Sequence, residues 1–156
     1  MRSAGVLIGL LVVCFAAAAL GSLLTVQSVG TWYQQLARPT WTPPDWLFGP
    51  VWTLLYAMMA VAAWLVWRKA GWSGSPWALG VFGLQLVLNV AWSGIFFGLR
   101  LPGAAFAELV ALWAAILATA VLFARVSWPA AGLMIAYLLW VSFAGALNFA
   151  IWRMNG

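Results

Sequence analysis

Five long apolar stretches, four of them closed by a cation, leave this chain almost nothing to show to water. A helix crossing the hydrocarbon core of a bilayer, about 30 Å thick at about 1.5 Å per residue, takes about 20 mostly apolar residues. Stretches of that kind run over residues 4–26, 47–67, 76–98, 103–124 and 128–152, and the last four stop at Arg68-Lys69, Arg100, Arg125 and Arg153. Only 6% of the 156 residues are charged, whereas a soluble domain carries about 25% and needs them for its outer shell. A soluble domain, a disordered tail and a nucleic-acid binder are thereby excluded. The expectation is an all-α, five-helix, multi-pass integral membrane protein, one domain over 1–156, embedded in the lipid bilayer.

Local signals support the count. The first stretch runs on to Val26 without a charge, well past the 7–15 residues of a signal-peptide core, so it reads as a true span. Ser75-Pro76 and Ser127-Trp128-Pro129 each place an N-cap residue ahead of a first-turn proline. The connections are mostly a few residues long, so consecutive helices are expected as antiparallel neighbours. Arg2, Arg68, Lys69 and Arg125 on one side against Arg38, Arg100 and Arg153 on the other lean the first loop away from the cytoplasm.

That first loop, residues 28–46, is long, and Pro39, Pro43 and Pro44 bar a continuous helix through it. One or two helical turns are expected over Thr31–Ala37. Its Trp32, Tyr33, Trp41 and Trp46 allow two readings, an aromatic belt on a stiff linker or a lid over the bundle.

The missing residue types narrow the chemistry. With no His, one cysteine (Cys14) and two acids (Asp45 and Glu108), zinc sites, catalytic triads and carboxylate pairs all lack their parts. No metal site is expected. Glu108, within the fourth stretch, is expected to snorkel or to pair with Arg100. What the chain has in excess is tryptophan, 13 copies.

Polar side chains inside spans usually face the bundle interior. Gln85, Asn89 and Trp92 share one face of the third stretch, Tyr137, Trp140, Ala144 and Asn148 one face of the fifth, and Trp52, Tyr56 and Met59 one face of the second. Run through an alternating topology, Trp52, Asn89, Trp92 and Asn148 fall in the half of the bilayer beneath the long loop, with Trp140 near the middle. Such a convergence suits a flat apolar ligand held by stacking. Amides acting as interhelical glue, with indoles filling the core, would produce the same pattern. Gly94-Ile95-Phe96-Phe97-Gly98 matches the small-xxx-small contact pattern and suggests a homodimer through the third helix. Trp64, Trp67, Trp72, Trp77 and Trp128 read as belt residues.

The run Trp41-Thr42-Pro43-Pro44-Asp45-Trp46, followed by Pro50-Val51-Trp52-Thr53-Leu54-Leu55-Tyr56, resembles the tryptophan-rich sensory protein/translocator protein (TspO) family. So do Gln85 to Trp92 with Phe96-Phe97-Gly98, and Tyr137 to Val141 with Leu147-Asn148-Phe149. The likeness covers nearly the whole chain in order. It implies a membrane receptor for tetrapyrroles such as protoporphyrin IX and haem, and for other flat hydrophobic ligands, in a pocket roofed by the first loop. Carried over by motif, Trp46, Trp52, Tyr56, Asn89, Trp92, Trp140, Ala144, Leu147 and Asn148 are ligand-binding positions. Trp52 and Trp140 are also the photochemical tryptophans of relatives that degrade protoporphyrin IX in light and oxygen. No cofactor is required beyond the porphyrin as ligand. A small-molecule transporter, dependent on Glu108, and a membrane-stress regulatory partner are the competing functions.

Two departures from the family pattern bear on specificity. Phe149 stands between Leu147 and Arg153 where a sterol motif wants Tyr, and such motifs are weak to begin with. Ala104 stands early in the fourth stretch where vertebrate members carry Trp, which is expected to widen the pocket wall. Without His, haem iron lacks its commonest protein ligand, so metal-free porphyrin held by stacking and burial is the expected form.

Overall fold

The computed structural model describes residues 2–156; Met1, the first residue of the expected domain, lies outside them. The order is α1 (Arg2–Val29), α2 (Trp32–Gln35), α3 (Asp45–Gly74), α4 (Pro76–Ser93) with a π-helical extension Gly94–Gly98, α5 (Pro102–Ala124) and α6 (Trp128–Met154). Five of these helices, counting α4 with its extension, are long and apolar enough to span a membrane. The expected multi-pass bundle is therefore what the chain forms, with no strand among the described residues.

Helix ends follow from first-turn chemistry. Pro76, Pro102 and Pro129 sit at helix starts, where a missing N–H costs nothing. Ser127 caps α6 as expected, its Oγ accepting from Ala130 N–H at 3.4 Å. Ser75 does not cap α4. It donates instead to the Gly71 carbonyl at 2.8 Å, because α3 breaks at Gly71 (φ +67°) and leaves that carbonyl without a helical partner. α3 thus continues past Arg68-Lys69 as far as the break at Gly71, further than its apolar stretch, and a last turn carries it on to Gly74.

Helix order around the bundle is α1, α3, α6, α5, α4 and back to α1. Consecutive helices are therefore not always neighbours. α3 and α4 are joined by Ser75 alone yet share little surface, because the corner at Gly71–Ser75 sends α4 toward α1 and α5. Small residues allow the close approach of α1: Cys14, Ala17 and Gly21 recur on its buried face. A Cβ on Gly21 would lie 3.4 Å from Ser93 Oγ. The outer face of α1 (Ile8, Val12, Leu23, Val26) is exposed, as suits contact with lipid chains.

The end of α4 widens into a π turn, with Leu99 N–H reaching back to the Gly94 carbonyl at 2.8 Å. Such turns displace side chains from α-helical register. Arg100, at φ 59°, then closes the helix in the left-handed conformation.

The first loop is ordered. It makes the expected short helix, α2, then an irregular run to Pro44 with a turn at Thr40–Trp41, closed by Thr42 N–H on the Pro39 carbonyl at 3.1 Å, and lies across one end of the bundle. Asn155, just past α6, holds it by hydrogen bonds to both the N–H and the carbonyl of Ala37.

Candidate functional site

Beneath the loop, α1, α3, α4 with its π extension and α6 line a cavity of about 530 Å³, within the usual range for small-molecule sites of about 300–1,000 Å³. Of the nine sequence-derived positions, Trp52, Tyr56, Asn89, Trp92, Trp140, Ala144, Leu147 and Asn148 all line it. Trp46 does not, and is 71% exposed. From α3 the cavity is lined instead by Asp45, Phe48, Gly49, Trp52, Thr53 and Tyr56.

Hydrogen bonds fix the walls. Trp92 Nε1 donates to Asn148 Oδ1 at 2.9 Å, and Asn148 Nδ2 donates to the Pro102 carbonyl at 2.8 Å. Asn148 thereby ties α4, α5 and α6 together. Asn89 Nδ2 donates to the Tyr137 hydroxyl, both groups buried. The same amides act as interhelical glue and as cavity wall, so the two readings of the polar stripe are one arrangement. With these groups engaged inside the protein, the space is faced mainly by aromatic and aliphatic surface.

The aromatic lining is itself braced. Trp92 stacks on Phe96 with ring centroids 5.3 Å apart, Trp52 meets Tyr56 at 6.0 Å and the buried Tyr137 at 6.3 Å, and Trp140 meets Phe48 at 6.0 Å and Phe143 at 5.4 Å. The indole N–H of Trp140 is buried and has no partner.

Sequence reasoning missed several wall residues. Tyr33 closes the cavity from α2, packed on Phe96 and Phe97. The π turn lets Phe96 and Phe97 face the space together. α1 contributes Ala18, Gly21, Ser22 and Thr25, and its sparse hydroxyls at Ser22, Thr25 and Ser28 are the one signal that could have marked that face. Burial raises the Tyr33 phenol above its ordinary value, and the neighbouring Arg38 pulls it partly back.

A match to the TspO/MBR family model spans residues 10–153. The chain belongs to the TspO/MBR family. It is 45% identical to the tryptophan-rich protein TspO of Chlorobaculum tepidum over 91% of this chain and 90% of the relative. It is 39% identical to protein CrtK of Rhodobacter capsulatus over 92% and 89%. Likeness to the human translocator protein is 42%, over 80% of this chain and 75% of the relative.

In this TspO/MBR chain α5 contributes nothing to the cavity wall. Ala104 is exposed and lies off the cavity, so the small residue does not widen it. Leu147 faces inward, but Phe149, two residues on, is 45% exposed on the outer surface against Phe106 and Trp152. Glu108 and Arg100 do not pair: both carboxylate oxygens of Glu108 are buried without a partner, while Arg100 sits in the exposed left-handed turn. Among the described residues no cluster of three or more His, Cys or acidic side chains is poised for a metal. Trp72, Trp77 and Trp128 are exposed like belt residues. Trp64, by contrast, pins the start of α1 by donating to the Ser3 carbonyl at 2.9 Å.

Proposed function

We propose that the protein is a membrane receptor for tetrapyrroles, protoporphyrin IX first among them, and for other flat hydrophobic ligands. The observation that carries this is the meeting of Trp52, Trp92 and Trp140, from three helices, around one largely apolar space of about 530 Å³. Indole faces hold a planar macrocycle by stacking and burial, and Tyr33 roofs it. The ligand is metal-free in this reading. Besides His, haem iron takes Met, Cys or Tyr as protein ligand; among the described residues Cys14 and the methionines are absent from the cavity wall, and of these types only the phenols of Tyr33 and Tyr56 stand in it.

Trp52 and Trp140 carry the photochemical part of the proposal. An indole beside a photoexcited porphyrin is an electron donor and a target for singlet oxygen, so light and dioxygen together degrade the bound porphyrin. The test is titration of protoporphyrin IX against tryptophan fluorescence in the full-length protein, then product analysis in light and in dark. Trp52→Phe with Trp140→Phe is expected to weaken binding and abolish bleaching; a double variant that binds and bleaches like the parent overturns the assignment.

A transporter is the second reading, favoured by the unpartnered Glu108 carboxyl inside a span. Ligand flux across vesicles that is unaltered in Glu108→Gln would remove its support. We also propose a homodimer through the end of α4, seated at Gly98. A Cβ there meets open space, whereas Gly94 is already taken up by Leu24 of α1 at 3.5 Å. Loss of cross-linked dimer in Gly98→Leu is the expected result.

A further inference from the structure

Directly beside the apolar cavity lies a second, polar space of about 560 Å³, walled by Pro39, Pro43 and Pro44 with Gln34, Thr42 and Asp45. Asp45 stands in the walls of both, so the two spaces adjoin. Arg38 also lines the polar one, and its guanidinium lies over the ring of Tyr33, 4.8 Å from the centroid, on the residue that roofs the cavity.

The bonding of Arg38 is incomplete. A guanidinium has five N–H donors and pairs best with a carboxylate through two parallel hydrogen bonds. Here, among the described residues, it makes one hydrogen bond, to Gln34 Oε1 at 3.3 Å, one ion contact to Asp45 Oδ1 at 3.6 Å, beyond hydrogen-bond range, and a further polar contact with the Tyr33 phenol, leaving its other donors without a partner. Asp45 is meanwhile engaged by Gln34 Nε2, which donates to its other oxygen at 2.6 Å. The arginine is nevertheless held in place: the preceding residue, Ala37, is gripped at both backbone groups by Asn155. A fixed cation with unused donors, at the edge of an apolar chamber, is built to receive an anion attached to an apolar body.

We propose that Arg38 is a carboxylate-recognition residue. The flat body of the ligand occupies the Trp-lined cavity, and an ionised carboxylate at its edge enters the polar space and replaces Asp45 as the partner of Arg38, making the bidentate contact that Asp45 does not make. The site thus selects flat apolar acids over their neutral esters. Asp45 is the built-in competitor for the same guanidinium. This rests on the tetrapyrrole reading for its first probe, but the chemistry asks only for a planar apolar acid.

The experiment uses the full-length protein in nanodiscs, titrated by tryptophan fluorescence with two acid–ester pairs: protoporphyrin IX and its dimethyl ester, and pyrenebutyric acid and its methyl ester. The parent protein is expected to bind each acid about tenfold more tightly than its ester. Arg38→Gln is expected to bring that ratio close to one, Arg38→Lys to recover part of it, and Asp45→Asn to raise it. Equal affinity for acid and ester in the parent protein overturns the proposal without touching the receptor reading, and it needs no variant to fold. Acid preference retained in Arg38→Gln, or unmoved in Asp45→Asn, overturns it equally. If the porphyrins fail to bind while the pyrene pair shows the preference, the tetrapyrrole reading falls and the role of Arg38 stands. Binding of neither pair overturns both.

Discussion

Asn155 grips Ala37 with both ends of its amide: Oδ1 accepts from the Ala37 N–H at 3.0 Å, and Nδ2 donates to the Ala37 carbonyl at 2.9 Å. The same Nδ2 also reaches the Ile151 carbonyl at 2.7 Å, so the grip is anchored to the end of α6. Two residues 118 positions apart thereby fasten the loop over the cavity. Asn155→Ala is expected to weaken the closed loop by about 1–2 kcal/mol, two hydrogen bonds at their usual net worth. Faster amide hydrogen exchange over residues 36–44, with the spans unchanged, is the measurement; Asn155→Asp, which sets a carboxylate oxygen against the Ala37 and Ile151 carbonyls, should weaken the loop at least as much.

Asn89 and Tyr137, both buried, hold α4 to α6 through one hydrogen bond. Asn89→Leu leaves the phenol without its partner and is expected to cost about 1–3 kcal/mol. Thermal unfolding in detergent reads this directly. Adding Tyr137→Phe should cost less than the sum of the two single changes, because both remove the same bond.

Gly103, at the start of α5, leaves room for an indole. A Cβ there would stand 2.7 Å from Trp152 Nε1 and 2.9 Å from its Cε2. Gly103→Ala should therefore destabilise by about 1–3 kcal/mol through overpacking. Gly132, inside α6 with nothing within 4 Å of the same Cβ position, predicts the opposite sign. There Gly132→Ala should stabilise by about 0.5–1 kcal/mol. A melting comparison of the two variants separates packing from helix propensity.

Tyr33 gives the roof a pH dependence. Burial raises its phenol above the ordinary value near 10, with Arg38 opposing. A folded-state value above the unfolded one means that the contribution of Tyr33 is whole below about pH 10 and is lost as pH climbs through the raised value. Tyr33→Phe should remove one step of tyrosinate absorbance that titrates later than a free tyrosine.

How far the sequence could be read is clearest along α3 and α6. Their indoles, phenols and amides recur at helical spacing, so Trp52 with Tyr56, and Trp140 with Ala144 and Asn148, could be assigned to shared inward faces. Trp46 escaped because a shared motif does not by itself place a side chain in the cavity wall. The wall contributed by α1 was nearly illegible for a different reason. Most of its residues are small or apolar, equally suited to lipid and to protein, so only the sparse hydroxyls at Ser22, Thr25 and Ser28 mark the inward side.

The solvent and the number of spans follow from the apolar pattern alone. The cost of placing charge or open backbone in hydrocarbon leaves few alternatives for a chain with five long apolar stretches. Tertiary structure alone decided that α3 and α4 part company at Gly71–Ser75, and that a π turn brings Phe96 and Phe97 to one space. It also decided that Asn155 ties down the loop beside a half-satisfied Arg38. These are relations between distant residues, set by packing small faces closely and by finding a partner for each buried polar group, and no local pattern encodes them.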